Sequence, residues 1–132
     1  MMWRMAASVG IGLVLASLAD WLFAGVFFHD RYQTYPEVWR FSGANPKALM
    51  AAQALTAPTV VGMILLVVWT RATTLPAALC LALVVWACAA APPIIANGIY
   101  IKIDWRVVCS HCAGWLVKLA LTATTASILL HP

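Results

Sequence analysis

Four long apolar stretches, separated by short polar segments, set the pattern of this chain: Met5–Phe28, Lys47–Thr70, Leu75–Asn97 and Trp105–Leu130. A helix that crosses a bilayer needs about 20 apolar residues, and each stretch reaches that length. The boundaries carry helix signals. Asn45-Pro46 offers an N-cap followed by proline at the first helical position. Thr74 followed by Pro76 resembles it, and Asp104 places a negative charge at the start of the last stretch. The Thr70–Thr74 connection is short enough to force a tight helical hairpin. The longer connection His29–Ala44 mixes Tyr32, Tyr35, Trp39 and Phe41 with charges, a composition that favours the headgroup region. Within it, Pro36–Phe41 is expected to form a short interfacial helix or an irregular loop. The fold class expected is all-α: one integral membrane domain, residues 1–132, built as a bundle of four transmembrane helices.

Composition strengthens this picture. The chain is 64% hydrophobic and 9% charged, whereas a soluble domain is about 25% charged. Such a chain cannot cover its surface with charge, so membrane lipid is its expected partner. The net charge of +4 is small and no basic run exists, which argues against nucleic acid. Arg4 and the Ser17-Leu18-Ala19 sequence imitate a signal peptide, but the apolar run continues to Phe28, far beyond the 7–15 residues of a signal core. The stretch is therefore expected to be retained as the first helix. Arg31, Arg40, Lys47, Lys102 and Arg106 fall in the first and third connections, against Arg4 and Arg71 on the other side. The positive-inside rule then puts those two connections in the cytoplasm and both termini outside. Cys80, Cys88, Cys109 and Cys112 all lie inside apolar runs and read as small apolar side chains.

Polar residues inside the apolar runs are the candidate chemistry. Lys118 stands in Val107–Leu130, which holds no other formal charge. A charge at the bilayer centre costs roughly 2.5–3.5 kcal/mol or more, so a partner is expected. Asp20 supplies one: the first and last helices run antiparallel and side chains lean toward their own N-terminus, so the two heads approach in depth. Around this pair, His111, Trp115, Lys118, Thr122 and Thr125 recur at helical spacing on one face. Ser17, Asp20 and Ala24 form a stripe on the first helix. Gln53 and Thr56 come from the second, and Pro92-Pro93 with Asn97 interrupt the third. The result is an expected polar seam in the cytoplasmic half of the bundle. Asp20, His111, Trp115, Lys118, Gln53 and Asn97 are its candidate binding residues, and His111, Asp20 and Lys118 its candidate catalytic ones. A purely architectural ion pair is the competing reading, as is packing for Gln53, Thr56, Thr122 and Thr125.

No cofactor is expected. Cys109-Ser110-His111-Cys112 looks like a metal motif, but a zinc site needs four converging ligands and no second cysteine pair lies at that depth. Haem between His111 and His29 is the remaining candidate. There is no Walker loop, no G-x-S-x-G, no H-E-x-x-H and no pair of intramembrane carboxylates.

The stretch from Asp20-Trp21 to Phe27-Phe28, then Tyr32 and Pro36-Glu37-Val38-Trp39-Arg40, resembles a family of small four-helix bacterial membrane proteins of unknown function. In that family an aromatic pair ends the first helix and a tryptophan follows in the loop. A proline or asparagine near the end of the third helix precedes an acidic residue opening the fourth; here these are Pro92, Pro93, Asn97 and Asp104. The resemblance implies the same architecture and a bacterial inner membrane. It implies no catalytic residues.

Three functions fit. The first is binding or transport of an ion or small amphiphile at Asp20, His111 and Lys118. Because four helices alone are too few for a route, this expects a homo-oligomer, with Gly10, Gly12 and Ala16 as a contact face. The second is an acid–base enzyme acting on a lipophilic substrate, which requires a cavity where those groups converge. The third is an accessory subunit of a larger membrane complex.

Overall fold

The computed structural model describes residues 2–38, 40 and 45–130, with the backbone alone at Gln33. The described chain is all-α. Four helices are long and apolar enough to cross a membrane: α1 (Met2–Phe27), α2 (Pro46–Trp69), α3 (Leu75–Tyr100) and α4 (Trp105–Leu130). They match the four apolar runs to within three residues at each end. Between α1 and α2, His29–Gln33 and Pro36–Val38 form two tight 3₁₀ turns. Trp39 and Phe41, the aromatic half of the expected interfacial helix, lie outside the described residues.

The caps explain where the helices begin. The Asn45 side chain accepts from the Ala48 N–H at 3.1 Å, with Pro46 in the first turn. Asp104 accepts from the Arg106 N–H at 2.8 Å through Oδ1. Thr74, also an expected cap, is extended but makes no side-chain cap bond; its backbone carbonyl takes the Ala78 N–H instead. The α2–α3 turn closes with Ala72 N–H on the Val67 carbonyl and Arg71 N–H on the Val68 carbonyl. This geometry demands a left-handed residue, usually glycine, and Arg71 fills it at φ 53. Arg71→Gly is expected to raise stability by about 1 kcal/mol, the left-handed cost removed, less the extra freedom glycine has when unfolded. Equilibrium unfolding in detergent checks this.

Three helices are not regular throughout, each for a chemical reason. Pro58 has no N–H for the Ala54 carbonyl, and α2 breaks at Leu55 between Pro46–Ala54 and Thr56–Trp69. In α3 the sequence suggested an interruption running from Pro92-Pro93 to Asn97. The disturbance instead lies before the prolines, as a widened π turn over Trp86–Ala90, and regular helix resumes through Asn97 to Tyr100. Prolines then fall in the first turn of the resumed helix, where a missing N–H is least costly. The Trp86 indole N–H pins the widened turn to α4, donating to the Cys112 carbonyl at 2.7 Å. In α1 the helix widens directly after Asp20, over Trp21–Phe27.

α4 is the central helix and touches α1, α2 and α3. Of its most apolar window 44% is buried inside the protein, against 17% for α1 and for α3. A small residue lets α3 approach it: a Cβ at Gly98 would stand 2.6 Å from Val108 Cγ2. The core joins Ala16, Val60, Ile64, Val67, Ala82 and Ala123. On α1, Ser8, Gly12, Ala16 and Ala19 form the buried stripe. This corrects the expected oligomer face: Gly12 and Ala16 are used within the chain, and only Gly10 faces open space. Large apolar side chains such as Val14, Leu18, Val61, Leu83 and Ile128 point outward instead.

The first and third connections meet at the same end of the bundle. Lys102 Nζ lies 3.3 Å from Glu37 Oε1 and 4.7 Å from the Tyr35 ring centroid, and Thr34 Oγ1 donates to Asp104 Oδ2 at 3.4 Å. A hydrogen bond to its own backbone N–H, then the Lys102 ammonium, hold the Glu37 carboxyl below its usual range. A depressed carboxylate contributes stability above its unfolded pKa, and loses it as pH falls through the folded one. The stability difference between wild type and Lys102→Gln is therefore expected to vanish on acidification through the carboxylate range. Because the pair is exposed, high salt should shrink it too; Tm against pH measures it.

Candidate functional site

Asp20 ends the regular part of α1, Lys118 sits in mid-α4, and the structure forms the expected ion pair: Lys118 Nζ lies 2.7 Å from Asp20 Oδ2. The widened turn after Asp20 shifts the following side chains out of ordinary helical register. Phe23 lies over Gly114, where a Cβ would stand 3.5 Å from it, an ordinary contact. The Phe23 carbonyl, bonded to the Phe28 N–H in the π manner, also accepts the Ser110 hydroxyl at 3.4 Å.

The two ions are not equally placed. The Lys118 side chain is 6% exposed and that of Asp20 is 28% exposed. The ammonium is enclosed by the carboxylate and by the Trp115 ring, whose centroid is 4.6 Å from Nζ, a cation–π contact. Thr56 Oγ1 donates to the same Asp20 Oδ2 at 3.3 Å. Asp20 is thus the more open member of the pair.

That space is a cavity of about 600 Å³ between α1, α2, α4 and the turn after α1. Five of the six expected binding residues line it: Asp20, His111, Trp115, Lys118 and Gln53. Asn97 does not. It is exposed on α3, and among the described residues α3 contributes nothing to this wall. The reason is that helix continues through Asn97, so its amide is not turned inward by a break. Gln53 Oε1 is buried with no hydrogen-bond partner among the described residues. Thr122 and Thr125 bond back to the Lys118 and Leu121 carbonyls of their own helix and take no part in the cavity.

His111 lies at the cavity rim, where Tyr32 Oη and His111 Nε2 are 3.0 Å apart and the rings meet edge to face. Burial raises the Tyr32 phenol above its usual range, opposed by its hydrogen bond to Ser110. The phenol is therefore neutral at physiological pH, and the imidazole tautomer sets which of Tyr32 Oη and His111 Nε2 donates. Tyr32 and Ser110 were not among the sequence candidates. Tyr32 sits in the connection, where no helical period places a side chain. Ser110 could have been found: Lys118 is eight residues later, two turns along the same face. His29, considered only for haem, also lines the cavity. Among the described residues no three His, Cys, Asp or Glu side chains converge as a metal would require, and Cys109 is exposed.

A second crevice of about 410 Å³ opens between α2, α3 and α4, lined by Pro58, Met63, Val85, Pro93 and Leu119. Among the described residues no titratable group lines it. Trp115 belongs to the walls of both spaces. Chemically, the polar cavity can hold a small molecule between aromatic and aliphatic walls, and offers a carboxylate, an ammonium, two imidazoles and a phenol. Comparison with protein-family models, with curated proteins and with solved structures finds no match to this chain.

Proposed function

We propose that this chain is a multi-pass protein of a bacterial inner membrane whose polar cavity binds a small amphiphile or ion, as a step in its transport. Four helices of spanning length, with most apolar side chains of α1 and α3 facing outward, support the membrane setting, since only lipid can cover them. The five Lys and Arg of the first and third connections, against two on the other side, favour a cytoplasmic location for the end where Glu37 meets Lys102. The observation that carries the binding reading is the cavity itself. Its volume lies within the range of small-molecule sites, and it gathers Asp20, His111, Trp115, Lys118 and Gln53.

Ala52 lines the cavity away from the ion pair. Purified wild-type protein is expected to retain a lipid-soluble small molecule at roughly one per chain, detected by mass spectrometry of the denatured protein. Ala52→Trp should fold with an unchanged Tm and lose most of it. Equal retention by both proteins would sink the binding reading. The Tyr32–His111 pair at the rim favours one second reading, acid–base chemistry on a lipophilic substrate. Covalent change of the retained molecule by the wild type, and not by His111→Gln, separates the two.

A further inference from the structure

We propose that the cavity takes a lipophilic organic cation in exchange for a proton, with Asp20 as the shared anion and Lys118 as the cation that gives way. This rests on the reading of the cavity as a binding site, and adds its ligand class and coupling.

Three observations carry it. The first is which ion is more open to the cavity. Lys118 is enclosed, its Nζ held by Asp20 Oδ2 and the Trp115 ring, whereas Asp20 is the more exposed partner. Both described contacts of the carboxylate, from Lys118 and Thr56, fall on Oδ2, and no described group bonds Oδ1. An arriving molecule therefore meets negative charge. The second is the wall. Trp21, Phe23, Tyr32 and Trp115 line the space, and aromatic faces attract desolvated cations. Trp115 already holds an ammonium in this way. A volume of about 600 Å³ with such walls suits an organic cation rather than a bare inorganic ion.

The third is charge balance. Lys118 touches Asp20 from α1 and Trp115 from α4; the other polar groups around the space are His29 and Tyr32 from the connection, Gln53 from α2, Ser110 and His111 from α4, and Thr56 of α2 on the carboxylate. Among the described residues α3 offers none. The carboxylate and the ammonium of the pair sum to zero. A second cation beside one carboxylate would leave a net positive charge in a medium of low dielectric, which is costly. Neutrality returns when the displaced ammonium loses one proton. The exchange is balanced: carboxylate–ammonium pair plus cation gives carboxylate–cation pair plus neutral amine plus one proton. No covalent bond between heavy atoms forms or breaks. The proton leaves to water at the rim, where His29 and His111 are exposed.

The test uses full-length protein in nanodiscs and three probes: tetraphenylphosphonium, the size-matched anion tetraphenylborate, and neutral triphenylphosphine oxide. Ala52→Trp protein gives the background for partition into lipid. Wild type is expected to bind the phosphonium above that background, with little binding of the other two. Its affinity should rise about tenfold per pH unit near neutrality, the linkage signature of one proton released. Lys118→Met should bind the phosphonium with no pH dependence. The double variant Asp20→Asn/Lys118→Met, which removes both charges and keeps the fold, should lose cation preference. Phosphonium binding without pH dependence in the wild type would overturn the exchange. Equal or better binding of the borate or the oxide would overturn the cation assignment, while leaving the cavity as a binding site. Binding of no probe overturns the proposal, and the Ala52→Trp retention experiment then decides the binding reading by itself.

Discussion

Replacing Asp20 by asparagine is expected to destabilise the protein by about 3–5 kcal/mol, the usual cost of removing one partner from a buried ion pair. The reason lies in what remains. Lys118 would be left as an ammonium in a side chain 6% exposed, with only the Trp115 face and a weaker amide acceptor beside it. Being so enclosed, it reaches little of the water that the cavity admits. The reverse change should cost less. Lys118→Met leaves a carboxylate that is 28% exposed to the cavity, where water can reach it and Thr56 still donates. About 1–3 kcal/mol is expected, the range for an unsatisfied buried polar group. The double variant should recover most of the loss, because well-packed neutral groups often replace a buried pair at little cost. A double-mutant cycle by reversible unfolding in detergent measures all three. Equal losses for the two single variants would contradict the unequal burial of the two ions.

Gly12→Leu is expected to destabilise by about 1–3 kcal/mol through overpacking, with Gly10→Leu near zero as its internal control. A Cβ at position 12 would stand 2.9 Å from Val60 Cγ1 and 3.8 Å from Thr122 Cγ2, whereas at position 10 nothing lies within 4 Å. Val60 is fully buried and its short branched side chain has no alternative place. The helices themselves must separate, and Ser8 and Ala16, one turn away on either side, hold them at the same close distance. Thermal unfolding compared across the two variants checks the contrast. A loss at Gly10 as large as at Gly12 would mean that the exposed side of α1 packs against something as well.

Much of the arrangement was legible in the residues. Hydropathy and the caps at Asn45 and Asp104 located four helices. Helix direction and depth paired Asp20 with Lys118, and helical spacing put His111, Trp115 and Lys118 on one side of α4. The failures share a cause. Asn97 looked like a member of the seam because it follows two prolines, yet helix resumes ahead of it. Gly12 and Ala16 looked free for a second copy, yet they pack against α2 and α4. In an apolar helix the inward and outward faces have the same composition, because core and lipid are equally apolar, so periodicity cannot say which small residues turn inward.

The sequence by itself determined what depends on one segment at a time: the number and length of the helices, where they start, and which isolated charges would need partners. Local composition and backbone chemistry dictate these without reference to neighbours. The tertiary structure alone decided the widened turns after Asp20 and before Pro92, the central place of α4, the Tyr32–His111 contact across 79 positions, and the cavity. It also decided that Asp20 is more open to that cavity than Lys118, although both line it. Each of these depends on how several helices share one volume, and side-chain fit between elements distant in sequence leaves no periodic trace in any one of them.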